Sequence, residues 1–213
     1  MEMNKTKWAL LTLPLAFVLW YFTFAIEWGI FWFKLAPSAA LLALIGLSLS
    51  RDQWSMLLRF KPGHLLIGPL SAALLYGVFW LGNILSQQIL PSIIPNFDPS
   101  AHIQNVYANK TQLDLFYIGL LLLFVMGPAE EIYWRGFLQR VLGERFNKSM
   151  RIVLATSAYA LVHLVAMNPM LLVAAAICGL FWGWLYEHEE SLIPVILSHS
   201  LWDLAIFVVF PLK

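Results

Sequence analysis

Long apolar stretches separated by short polar connections make up most of the chain. Seven of them are about 17 to 25 residues long, enough for each to cross a bilayer as one helix. They run near Trp8 to Ile26, Trp28 to Leu49, Leu65 to Leu85, Leu113 to Trp134, Met150 to Ala166, Met170 to Tyr186 and Leu192 to Pro211. The pattern predicts an all-α fold, a polytopic membrane helix bundle. Lys34 makes the second span the weakest, although a long stem near a helix end can snorkel to the interface. Lys5 and Lys7 ahead of an apolar run imitate a signal peptide. Trp8 to Ile26 is too long and too aromatic for one and lacks a small-x-small cleavage site, so it reads as a retained first span.

Two connections are long enough to matter. Pro91 to Gln112 contains Pro91, Pro95 and Pro99 and reads as an external loop, either a lid or a connector. Between Gly136 and Lys148, the apolar Phe137, Leu138, Val141, Leu142 and Phe146 fall at helical spacing among Gln139, Arg140, Glu144 and Arg145. That spacing predicts an amphipathic helix lying on the cytoplasmic interface.

Composition agrees with a membrane protein, since 61% of the 213 residues are hydrophobic and 12% charged, with a mean hydropathy of +0.75. A net charge of +1, without a basic run interleaved with aromatics, excludes nucleic acid as a partner. The single cysteine, Cys178, excludes an intrachain disulfide and a thiolate metal cluster. Lys5, Lys7, Arg51, Arg59, Lys61, Arg140, Arg145, Lys148 and Arg151 fall on one side of the bundle, against Lys34, Lys110 and Lys213 on the other. Lys and Arg concentrate on cytoplasmic loops, so the N-terminus is expected in the cytoplasm. Many of the Trp and Tyr residues near span ends fit interfacial anchoring.

Against this apolar background, Gly127-Pro-Ala-Glu130-Glu131-Ile-Tyr-Trp-Arg135 is conspicuous. Ionisable groups inside a span are costly and mark function by default. Glu131 and Arg135 are four apart and share a helix face, so an ion pair is their simplest relation. Glu130 points about 100° away and has no partner in its own helix, which makes it the better reactive carboxylate. His163 can supply an imidazole to it. His199 and Asp203 are again four apart, so the carboxylate can orient the imidazole, or both can donate to a developing oxyanion if Asp203 keeps its proton. No serine or cysteine stands in a nucleophile motif, which leaves activated water and hydrolysis. The bland reading of the set is a buried polar network that only fixes helix packing. His64, His102 and His188, in loops or at span ends, receive no role, and Gly179 and Gly183 read as sites of close helix packing.

These residues resemble the CPBP intramembrane proteases, the group that contains the CAAX prenyl endoproteases and many bacterial relatives. The likeness covers roughly Leu113 to Pro211, so residues 113–213 are expected to form the catalytic core and residues 1–112 the N-terminal helices and external loop. The family's Glu-Glu-x-x-x-Arg with Gly-Phe stands as Glu130-Glu131-Ile-Tyr-Trp-Arg135-Gly136-Phe137, its Phe-x-x-x-His as Tyr159-Ala-Leu-Val-His163, and its His with Asn or Asp four later as His199-Ser-Leu-Trp-Asp203. Tyr159 in place of the common Phe adds a hydroxyl within reach of the site. Asp203 replaces the Asn of many members; an ionised carboxylate there would repel an oxyanion, so it either carries a proton or orients His199.

The resemblance implies an intramembrane endopeptidase in which Glu130, assisted by His163, activates water, and His199 with Asp203 stabilises the tetrahedral intermediate. Glu131, Arg135 and Tyr159 support them. The partners implied are the lipid bilayer and a membrane-anchored peptide or protein, prenylated or C-terminally sorted, and the location a bacterial plasma membrane. No cofactor is fixed by the sequence. The alternatives are a zinc-dependent form of the enzyme with Glu130, His163 and His199 as ligands, and a non-catalytic immunity or scaffold protein or a proton-coupled transporter that keeps the polar network as a relay.

Overall fold

The structure, a computed structural model, describes residues 5–212; Lys213 and the side chains of Lys5 and Thr6 lie outside it. Helices account for nearly all of the described chain, and no strand occurs among the described residues. Seven of the helices are long and apolar enough to span a bilayer: Lys7–Phe24, Phe31–Leu49, His64–Ile93, Leu115–Leu142, Lys148–Ala166, Pro169–Glu189 and Leu192–Val209. The all-α polytopic bundle expected from the periodicity is the observed fold.

The fourth span lies inside the bundle, against the second, fifth and seventh, while the fifth packs along the sixth and the third along the seventh. The third is the most lipid-facing, with only 17% of its window buried against 50% for the second. This explains why Leu65, Leu66, Leu70, Leu74 and Leu81 are exposed: in a bilayer an apolar surface needs no protein cover.

Two boundaries differ from the sequence reading. The third span continues to Ile93, 30 residues in all, because Pro91 falls in its closing turn, where a helix can accommodate it. The external segment is then largely helical, Pro99–Tyr107, started by Asp98, whose side chain accepts from the Ala101 amide at 3.1 Å. The second difference concerns the expected interfacial helix over 136–148, which does not exist as a separate element. Its first two turns are the inner end of the fourth span, which runs unbroken to Leu142. Phe137, Leu138 and Val141 form a stripe, as the spacing indicated, but bury it fully in the bundle core rather than in lipid headgroups. The amide nitrogen of Gln139 is satisfied there by the sixth span, donating to the Gly183 carbonyl at 3.0 Å and to Glu187 at 2.8 Å, while its Oε1 is buried without a partner.

Contacts sort the connections onto two ends. At one end Arg140 bonds Gln53 and Ser50, Arg151 pairs with Glu187, and Ser191 donates to the Arg59 carbonyl at 2.9 Å. At the other, Trp32 donates to the Asn109 carbonyl at 2.9 Å and Asn168 to the His102 carbonyl at 2.8 Å. There, too, Tyr107 donates to the Ile206 carbonyl at 3.0 Å and accepts from the Leu212 amide at 3.1 Å, and burial raises its hydroxyl above the usual range. Lys34 sits at this end, buried rather than snorkelling: its ammonium caps the Ile26 carbonyl just past the first span.

Three stretches wind as π-helix: Leu122–Met126, Ile132–Gln139 and Leu204–Val209. The first two bracket Glu130 and Glu131, and the third follows Asp203 directly. Such wide turns occur mostly at functional sites.

Candidate active site

Glu131 is the hub of the polar cluster. Its side chain is fully buried, and one oxygen, Oε1, accepts from Arg135 at 2.8 Å and faces His199 Nδ1 at 2.7 Å. The ion pair read from the four-residue spacing is present, but it is only half of what Glu131 does. Arg135, in turn, donates to the Gly179 carbonyl at 3.3 Å and lies over the rings of Tyr159 and Trp182, 5.1 and 5.6 Å from their centroids. One carboxylate, a carbonyl and two π-faces thus replace the water a guanidinium would otherwise hold.

Close packing of small residues makes these contacts possible. A methyl group on Gly127 would stand 2.9 Å from the Ser200 backbone, so the glycine lets the seventh span approach the fourth near His199. A methyl group on Gly179 would meet Thr156 Cγ2 at 2.7 Å. Glycine at these crossings brings backbones together, as the sequence reading expected for Gly179.

His199 stacks on Trp182, centroid to centroid 3.7 Å, and its Nε2 lies 3.4 Å from Asp203. Both ring nitrogens therefore face carboxyl groups. Of the two roles open to Asp203, this geometry favours orienting His199, with Glu131 holding the ring from the opposite edge.

Glu130 is arranged differently. It has no partner in its own helix, and the Tyr159 hydroxyl of the fifth span faces it. Its Oε2 is buried without a hydrogen-bond partner, and so is Glu131 Oε2. Native structures rarely leave buried polar atoms orphaned without a functional reason. Glu130 also lies within electrostatic range of His163, His199 and Asp203. The cluster holds three carboxyl groups and one permanent cation, so electroneutrality takes two further protons on the imidazoles or carboxyls. That is a proton inventory suited to acid–base chemistry.

His163 closes the fifth span's α-helix. Its Nδ1 meets the Tyr159 carbonyl at 2.8 Å and its Nε2 accepts from the indole N–H of Trp20 at 3.2 Å. Phe24 and Tyr159 pack on it edge-on at 5.8 and 4.8 Å. Trp20 and Phe24 belong to the first span, far from the motifs in sequence. Spacing along the later spans carries no trace of them, and Trp20 near a span end reads as an interfacial anchor. The stacking of Trp182 on His199 and the bond from Glu131 to His199 were likewise invisible, being contacts between helices.

The site residues named from sequence do gather. Glu131, Arg135, His199 and Asp203 form one bonded chain, with Glu130, Tyr159 and His163 beside it. Ending the fourth span at Trp134 would have put Glu130 close to one membrane face, out of level with His163. With the span ending at Leu142, Glu130 lies about 18 Å and His163 about 22 Å from the basic ends of their helices, at about 1.5 Å per residue. Glu130, His163 and His199 are 8%, 7% and 3% exposed, and two apolar grooves lie elsewhere, lined by Leu13 and Val141 in one case and by Leu15 and Ile45 in the other.

The zinc arrangement does not fit these residues. Among the described residues no three His, Cys, Asp or Glu side chains are grouped to hold a metal ion. In this arrangement Nδ1 and Nε2 of His163 meet the Tyr159 carbonyl and the Trp20 indole, and Nδ1 of His199 meets Glu131.

One prediction concerns Tyr159, whose hydroxyl departs from the family's usual Phe. Tyr159→Phe keeps the ring against Arg135 and His163 and removes only the hydroxyl that faces Glu130. It is expected to change kcat by less than about tenfold, the worth of one hydrogen bond, with an unchanged melting temperature.

Among known proteins, residues 112–205 match the family of Rce1-like proteins, described as type II CAAX prenyl endopeptidase Rce1-like. No curated protein matches the chain, and no solved structure does.

Proposed function

We propose that the chain, whose residues 112–205 match the Rce1-like family, is a CAAX-type intramembrane protease that cuts a membrane-anchored peptide with water activated at Glu130. The observation that carries this reading is the contrast between the two adjacent acids. Glu131 spends its Oε1 on Arg135 and His199 and is a structural anion. Both acids keep Oε2 without a protein partner, but among the described residues no ion pair holds Glu130, which can present its free oxygen to water as a general base must.

In this mechanism Glu130 Oε2 takes the proton as the water oxygen attacks the scissile carbonyl, and His163 holds the water in line. The oxygen of the tetrahedral intermediate faces His199, whose ring is fixed by Glu131 at Nδ1 and by Trp182 against its face. Donors fixed before charge develops cost no reorganisation during the reaction, which is the main advantage of such a site. The proton on Glu130 then passes to the leaving amine.

Substrates of the reading are peptides already held in the bilayer, prenylated or carrying a C-terminal sorting segment. The excess of Lys and Arg at one end of the bundle supports a cytoplasmic orientation of that end.

Purified protein in lipid nanodiscs, incubated with a farnesylated peptide ending in a CAAX box and with a panel of single-span peptides, tests the proposal by mass spectrometry. Cleavage of at least one peptide, undiminished by phenanthroline, is the expected result. Loss of cleavage in the chelator and its return with zinc would replace the glutamate mechanism by a metal-dependent one.

A further inference from the structure

We propose that Trp20 is a positioning residue that acts as a latch, its indole N–H occupying the one nitrogen of His163 that catalysis needs and releasing it when substrate enters. The inference rests on the protease reading and adds to the site a residue from the first span, outside the stretch that matches the family.

The argument is a count of lone pairs. A backbone carbonyl only accepts, so the 2.8 Å contact between His163 Nδ1 and the Tyr159 carbonyl places the ring proton on Nδ1. The remaining lone pair, on Nε2, is the only acceptor His163 has. An indole N–H only donates, and that of Trp20 points into this lone pair at 3.2 Å. Two donors cannot face each other, so the ring is neutral in this arrangement. It is a competent acceptor whose single position is filled, and it cannot hold water for Glu130 until Trp20 turns away.

The surroundings suit a part that moves as a unit. Trp20 is fully buried, edge-on to Trp134 at 6.1 Å and to His163 at 5.9 Å. The first span that carries it is lightly held, with only 28% of its window buried. Its other polar ties among the described residues are few, Tyr133 donating to Thr12 at 3.1 Å and Thr23 to Ser38 at 3.5 Å. A peptide entering beside His163 would part the Trp20 contact and free Nε2 in the same step. The near-complete burial of Glu130, His163 and His199 is then the latched state of the enzyme.

The test removes the donor and keeps the ring. Trp20→Phe is compared with wild type for cleavage of the farnesylated CAAX peptide in nanodiscs, for melting temperature, and for the 15N shift of His163 Nε2 in histidine-labelled protein without substrate. The latch predicts kcat/KM raised about twofold to tenfold, the worth of one hydrogen bond. It also predicts that the Nε2 resonance moves to the position of an acceptor without its indole donor. If Trp20→Phe lowers the melting temperature, benzothienylalanine at position 20 replaces it, since that side chain keeps the indole's shape and has sulfur in place of N–H. A folded donor-free protein with equal or lower kcat/KM overturns the latch, and so does an unmoved Nε2 resonance. Failure of the protease reading looks different: wild type then cleaves no peptide, while the resonance still reports on Trp20.

Discussion

Glu130→Gln is expected to lower kcat by about 100-fold to 10,000-fold, the range that a positioned general base contributes, while the protein stays folded. The amide keeps the shape of the carboxylate, so packing around the fourth span changes little. What disappears is an oxygen basic enough to take a proton from water. KM is expected to change by less than kcat, because Glu130 meets the attacking water and not the peptide's anchor. Progress curves in nanodiscs, with melting temperature as the control, decide it. Retention of more than about a tenth of the activity would move the base from Glu130 to the Glu131–His199 pair, the other carboxylate within reach of a proton carrier. Full retention of the protein's function without any cleavage would point to the relay or scaffold reading.

The second large effect is on stability. Arg135→Met fills the same space with an apolar side chain but leaves Glu131 fully buried with only His199 to answer its charge. Removing one member of a buried pair commonly costs about 3–5 kcal/mol, because the other charge loses its partner and cannot return to water. Chemical denaturation in detergent should show a loss of that order. The double variant Glu131→Gln with Arg135→Met should recover a substantial part of it, since the orphaned charge is gone. Strict additivity of the two single losses would mean that the groups are independently solvated, against the 2.8 Å contact.

How far the sequence could be read depended on which contacts were local. The seven spans were legible because a bilayer imposes a length and a composition on each segment separately. The Glu131–Arg135 pair and the nearness of His199 to Asp203 were legible for the same reason: a four-residue spacing fixes a shared face before any neighbour is known. The end of the fourth span was misplaced because Gly136 to Leu142 alternates apolar and polar groups as a surface helix does. Only the sixth span, with the Gly183 carbonyl and Glu187 waiting for Gln139, makes those polar groups fit a buried position. The bond from Glu131 to His199 and that from Trp20 to His163 join residues 68 and 143 positions apart, and no periodicity reports a contact of that kind.

The wide turns on either side of the acids also govern how this segment can vary in length. Each π turn takes up more residues than an α turn, so the helical phase of everything beyond Gln139 depends on the winding between Leu122 and Gln139. Loss of a single residue there, with the remaining winding kept, would rotate Arg140 by about 100° relative to the second span and away from Ser50 and Gln53. Substitutions at lipid-facing positions such as Phe124 leave that phase untouched. This stretch of the chain therefore tolerates exchange of side chains far better than a change in their number.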